Sequence, residues 1–183
     1  MIIGLHGKIQ AGKTTAFEAL QEEFKAKEFR FADGIKEMIA SLLGCSVKAL
    51  DNQVFKSRQI PWLKEGITPR VLMQTLGTEW GRNLIDEDIW VKSTLQKIED
   101  YQKVTGGMAV ITDVRFPNEF KALDERGDTF LIKIDRPGVD RSDPIHQHIS
   151  ETALDHLPSE VFDGYVVNNC GIKEFKQRII SLI

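Results

Sequence analysis

The sequence predicts an α/β fold, a parallel sheet covered by helices on both faces. Three observations carry this. Short apolar runs rich in isoleucine and valine recur, as "MIIGLH", "MAVITDV", "TFLIKI" and "YVVNN". Stretches with apolar residues at helical spacing lie between them. The first run also passes through a glycine-containing turn directly into such a stretch. Strands that alternate with helices imply a buried parallel sheet. Ligands bind such sheets at the carboxyl ends of the strands.

The elements follow in order. "MIIGLH" reads as the first strand, and Ala16, Phe17, Leu20 and Phe24 mark the helix after the turn. "FRFAD" reads as a second short strand, and "GIKEMIASLLG" as a helix closed by Gly44. Residues 51–67 lack periodicity and contain Pro61 and Gly66, which predicts an irregular excursion. "TPRVLMQTLGTEWGRNL" opens a helix with Thr68 as N-cap and Pro69 in the first turn. A further helix is expected over Asp88 to Tyr101. "MAVITDV" is a buried strand, "PNEFKALDERG" a short helix, "TFLIKI" a strand and "DRPGVDRSDPIHQH" a polar loop. "YVVNN" is the last strand. "IKEFKQRIISLI" closes the chain as an amphipathic helix with Ile172, Phe175, Ile179 and Leu182 on one face.

With 183 residues and 42% apolar composition, the chain suits one compact domain. A net charge of -3 argues against a nucleic-acid or membrane surface. Cys45 and Cys170 lack ligand spacing and read as reduced thiols. No stretch reaches the roughly 18 apolar residues of a membrane span. A soluble protein of the cytoplasm is expected, compatible with a homodimer.

"GLHGKIQAGKTT" carries the chemistry. Gly7, Gly12, Lys13 and Thr14 match G-x-x-x-x-G-K-[ST], between a strand and a helix. Glycines let backbone N–H groups curl around phosphate oxygens, and the helix N-terminus adds positive potential. Lys13 would reach the β- and γ-phosphates, and Thr14 would place its hydroxyl on Mg²⁺. Lys8 reads as a solvated loop lysine. Asp113 ends the strand of "VITDVRFPNE", where a carboxylate can orient the metal. Asp33, at the end of "FRFAD", could serve metal or acceptor, or cap the following helix. Arginines recur at loop ends and helix starts: Arg58, Arg70, Arg82, Arg115, Arg136 and Arg141. Their forks suit phosphate. Arg136 and Arg141 lie in a polar loop that could close as a lid. His146 and His148 read as loop histidines, and Trp62 and Trp80 as core aromatics.

Six stretches in this order, "GKIQAGKTT", "FADGIKEMI", "TPRVLMQTLGTEWGR", "DIWV", "ITDVRFPNE" and "HISE", cover most of the chain. Together they resemble the bacteriophage deoxynucleoside monophosphate kinases, a branch of the phosphate-loop kinases. The resemblance implies a three-layer P-loop kinase core with a monophosphate-binding insertion over about 34–85 and a lid over about 136–150. It implies ATP and Mg²⁺, with small nucleotides as partners. By it, the loop residues Gly7, Lys8, Ala11, Gly12, Lys13, Thr14 and Thr15 hold ATP. Asp33, Lys36, Arg70, Gln74, Arg82 and Glu151 face the acceptor. Thr14 and Asp113 serve the metal, and Arg115, Arg136 and Arg141 the phosphates. Asn168, in "VVNN", lies where such kinases hold the donor adenine.

Two other readings stay open from sequence. One keeps the fold and changes the acceptor to another phosphorylated small molecule or a modified DNA base. The other is an ATP-dependent switch with no acceptor. The surplus of arginines beyond the donor loop favours an acceptor.

Overall fold

Every residue of Ile2–His6 is buried, as a strand covered on both faces requires. In a computed structural model describing residues 1–140 and 149–183, this segment is β1, the middle of a five-stranded sheet. The other strands are β2 (Lys27–Phe29), β3 (Ala109–Val114), β4 (Thr129–Asp135) and β5 (Gly164–Val167). Their order is β2-β3-β1-β4-β5, and every pair is parallel.

Among the described residues the first helices are α1 (Lys13–Phe24), α2 (Asp33–Leu43), α3 (Gln53–Ser57) and α4 (Pro69–Gln74). They are followed by α5 (Ile89–Thr105), α6 (Pro117–Asp124), α7 (Ile149–Thr152) and α8 (Ile172–Ile180). Side chains alternate across a strand, so β1 serves two cores. Ile3 and Leu5 join Val110, Ile132, Ile134 and Val166 against Ala16, Ala19 and Leu20 of α1 and Phe175 and Ile179 of α8. Gly4 faces the other way. A Cβ there would meet Leu131 at 2.6 Å and Leu123 of α6 at 3.1 Å, so the glycine lets α6 lie close on the sheet.

The described chain forms two compact units. The sheet unit is Met1–Arg30 with Gln96–Ile183, and the second unit is Phe31–Leu95. In the second unit α2, α3 and α4 each start or end at a readable signal. Gly44 closes α2 at φ 62°, and Asn52 caps α3 by accepting from the Phe55 N–H. Thr68 caps α4 by accepting from Val71 N–H, with Pro69 in the first turn. Beyond Gln74 the chain continues as a π-helix over Thr75–Ile85. Gly81 leaves a slot on it, and a Cβ on Gly77 would meet Ile35 at 2.9 Å. The Trp90 indole lies in the slot and donates its N–H to the Gly77 carbonyl at 2.8 Å. A Cβ on Gly81 would sit 2.7 Å from the indole ring. Much of "LGTEWGR" and "DIW" is therefore packing of this unit on itself.

Several expectations are corrected. The second strand is Lys27–Phe29, not "FRFAD"; among the described residues it pairs only with Ala109–Ile111, and Asp33 opens α2 with its negative charge at the helix N-terminus. Residues 51–67 are not all irregular, because the Asn52 cap starts α3. Trp62 and Trp80 are exposed, 62% and 38%; the buried indole is Trp90. Ile172 is exposed, so the buried stripe of α8 is Phe175 and Ile179.

Candidate active site

The carboxyl edge of the sheet gathers the loop after β1, Asp113 and Arg115 at the end of β3, Arg136 after β4 and Asn168 after β5. The loop is set by sterics. Gly12 sits at φ 111°, where a side chain is strained, and a Cβ there would lie 2.5 Å from Asn168 Nδ2. At Gly7 a Cβ would lie 2.6 Å from the Ile134 carbonyl oxygen. Gln10 also has positive φ, 65°, unusual for a residue with a side chain. Asn168 donates from Nδ2 to the Ala11 carbonyl at 2.9 Å, and Arg136 donates to the Gln10 carbonyl at 3.3 Å. Asn168 thus braces the loop from the β5 side.

Lys13, the first residue of α1, folds back and donates from Nζ to the Gly7 carbonyl and, at 2.9 Å, to the Lys8 carbonyl. Burial and the nearby Arg115 guanidinium push its pKa down to about 8, against the pull of Glu151 and Asp113. The ammonium is desolvated and weakly compensated, which suits a group that receives an anion.

Arg115 is held at both ends. Its backbone N–H and that of Phe116 donate to Glu119 Oε2, at 2.8 and 3.0 Å. Its guanidinium donates to Glu151 Oε1. Glu151 Oε2 accepts the backbone N–H of Ile9 in the loop at 2.7 Å. Both glutamates are buried. Lys8 is not a free solvated lysine: it pairs with Asp155 at 2.7 Å. The segment that begins at α7 therefore touches the first half of the loop twice.

His6 lies behind the loop. Its Nδ1 is 2.9 Å from the Val114 carbonyl, and its ring stacks on Phe162. Burial lowers its pKa.

The Thr14 hydroxyl and the Asp113 carboxylate are oxygen donors that fit a hard cation, and the Lys13 ammonium fits the phosphates beside it. Thr14 is exposed at the helix start, and Asp113 lies close enough to act on the Lys13 charge. Among the described residues no three His, Cys, Asp or Glu gather as a metal cage. One hydroxyl, one carboxylate, phosphate oxygens and water are the usual shell of magnesium.

The remaining expected residues belong to the second unit. Lys36 is buried and pairs with Asp51 at 2.6 Å. Arg70 donates to Gln53 Oε1 at 2.7 Å. Asp33 and Arg82 are half-buried, and Gln74 is exposed at the end of α4. Trp62, Phe55 and Arg58 line a cleft of about 300 Å³ in this unit. Arg141, His146 and His148 lie outside the described residues.

Sequence reasoning gave no task to Glu119, Asp155 or His6. Glu119 had a signal, since a glutamate at the third position of a proline-started helix can reach back to the N-terminal N–H groups. The other two are paired by long-range contacts that no local pattern shows.

A family described as deoxynucleotide monophosphate kinase matches over residues 49–179. The chain belongs to this family. It is thus a phosphotransferase of deoxynucleoside monophosphates. A protein of Acanthamoeba polyphaga mimivirus described under the same family name is 32% identical, over 100% of this chain and 96% of its own length. The deoxynucleoside-5'-monophosphate kinase of Escherichia phage T5 is 35% identical over 60% of this chain and 45% of its own. The chain thus spans nearly all of the first relative and the match covers under half of the second. Among solved structures, shikimate kinase from Aquifex aeolicus superposes with a TM-score of 0.50 at 14% identity, covering 99% of this chain and 94% of that one. That likeness is one of fold. No helix among the described residues is long and apolar enough to cross a membrane.

Proposed function

We propose that this deoxynucleotide monophosphate kinase takes the γ-phosphoryl group of ATP, with Mg²⁺, at the loop of the sheet unit. The observation that carries the reading is the convergence of Lys13, Arg115, Asp113 and the strained Gly7–Thr14 loop at the carboxyl edge of the sheet. An oxygen of the acceptor phosphate forms a bond to the γ-phosphorus as the bond to the β,γ-bridging oxygen breaks. That acceptor oxygen is already largely ionised near neutral pH, so little general-base help is needed. Catalysis is then positioning and charge.

Lys13 exchanges its two loop carbonyls for β- and γ-phosphate oxygens. Arg115, and Arg136 beside Gln10, offset charge on the transferring oxygens. Arg141 is assigned the same task. The loop N–H groups from Gly7 through Thr15 cradle the donor, and Asn168 keeps the Ala11 turn in shape beside it. Thr14 and Asp113 would hold magnesium, which would supply charge neutralisation for the phosphates during transfer. Asp33, Lys36, Arg70, Gln74 and Arg82 of the second unit serve the acceptor nucleotide. Arg70 suits its phosphate, and the Gln74 amide, both donor and acceptor, suits the edge of a base.

A panel of deoxy- and ribonucleoside monophosphates, each incubated with ATP and Mg²⁺, tests the reading. Turnover is expected on at least one deoxynucleotide and weaker or absent on its ribose counterpart. Turnover on none of them, with ATP still bound or hydrolysed, sinks it.

A further inference from the structure

We propose that Glu151 is a positioning residue for phosphoryl transfer, its buried carboxylate locking the Arg115 guanidinium and the Ile9 N–H of the phosphate loop into one geometry. This rests on the donor-site reading above and replaces an acceptor contact as the task of Glu151. Only 2% of the Glu151 side chain is exposed. Each carboxylate oxygen is engaged by a protein donor, one by Arg115 and one by Ile9 at 2.7 Å. A buried carboxylate with both oxygens so engaged is poorly placed to read a sugar or a base. It joins three distant segments: the loop after β1, the end of β3 and α7. Each is anchored a second time. Glu119 takes the Arg115 N–H at 2.8 Å, and Asp155, four residues beyond Glu151, takes the Lys8 ammonium at 2.7 Å. With its backbone fixed by one glutamate and its guanidinium by another, Arg115 keeps little freedom before substrate arrives. That is what preorganised charge stabilisation requires.

The chemistry needs an ionised carboxylate. Both partners are donors, and a carboxylate accepts at both oxygens. Glu151→Gln preserves the shape but must turn an NH₂ toward either Arg115 or Ile9, a donor facing a donor. Glu151→Asp keeps charge and both acceptors on a shorter arm.

The test is a double-mutant cycle on kcat with ATP and the best monophosphate of the panel. Glu151→Gln lowers kcat by roughly 100-fold with the acceptor KM within about three-fold of wild type. In an Arg115→Ala background the same change costs under about three-fold in kcat at saturating ATP, because its Arg115 target is gone and the remaining Ile9 contact acts on ATP binding. Glu151→Asp recovers kcat to within about ten-fold of wild type. Full multiplication of the two single losses overturns the proposal. So does a raised acceptor KM at unchanged kcat. Should Glu151→Gln fail to fold by thermal melting, the cycle is run with Glu151→Asp against Arg115→Ala, under the same criterion of non-additivity. If wild type turns over no monophosphate, the donor-site reading has failed on its own. The Ile9 contact is then read from a non-hydrolysable ATP analogue, which Glu151→Gln binds about ten-fold more weakly. Unchanged binding overturns it.

Discussion

The two units hold the groups proposed to meet phosphate in different ways. In the sheet unit, Lys13, Arg115, Arg136 and the loop are tied to main-chain atoms or to buried carboxylates. In the second unit, Arg70 meets an exposed side chain, Gln53, and Gln74 is itself exposed. A triphosphate donor common to many enzymes can be met by a rigid loop whose shape is fixed by backbone sterics. In the proposed reading, acceptor choice rests on a few side chains of the second unit, Arg70 and Gln74 of the short helix α4 among them. The difference separates what is general about the chain from what is particular to it.

The sharpest contrast is between two arginines. Arg115→Ala is expected to lower kcat on the order of 10²–10³-fold, since it removes charge stabilisation at the transferring group. Arg70→Ala is expected to act chiefly on the acceptor KM, by about ten-fold. Steady-state kinetics with each substrate varied reads both. A kcat effect of equal size from both would erase the distinction.

Two glycines of the second unit sharpen the comparison on stability. Gly81→Ala forces a methyl into the Trp90 indole and is expected to cost about 1–3 kcal/mol in denaturant unfolding. Gly34→Ala lies in the first turn of α2, 3.4 Å from the same indole at ordinary contact. It is expected to stabilise by about 0.5–1 kcal/mol through the unfolded chain. If Gly81→Ala is neutral, the slot is not what holds Trp90.

The smallest effect belongs to the sheet unit. Burial holds the His6 pKa below its ordinary value of 6.5. The unfolded chain therefore takes up this proton first as pH falls. The His6 contribution is present above pH 6.5 and is lost as pH drops from there through the folded-state pKa. Melting temperatures between pH 7.5 and 5.5 are expected to fall less in His6→Gln than in wild type. An identical slope would show that this ring does not titrate on unfolding.

The features proposed as the donor half were visible in the sequence because their causes are local. A glycine at φ 111°, a lysine at a helix start and an aspartate at a strand end are fixed by their neighbours. β1, β3, β4 and α1 were legible for the same reason, since burial on both faces or one face writes its period into the chain. "FRFAD" misled because Phe29 and Phe31 are both buried, yet the chain leaves the sheet after Phe29 and turns into α2. The π-helix has no period that apolar spacing announces. Lys8 and Glu151 read as solvated and acceptor-facing because their partners, Asp155, Arg115 and Ile9, are far from them in sequence. Long-range pairs fix where those side chains sit, and one sequence does not display them.

The most direct measurement is a product balance for wild type and Lys13→Ala with ATP, Mg²⁺ and the preferred deoxynucleoside monophosphate. Wild type should yield ADP and the deoxynucleoside diphosphate in equal amounts. Lys13→Ala should keep its thermal unfolding transition and yield neither product above background. Retained transfer in that variant, or ADP formed by wild type without matching diphosphate, would contradict the assignment of the loop as the donor site of a kinase.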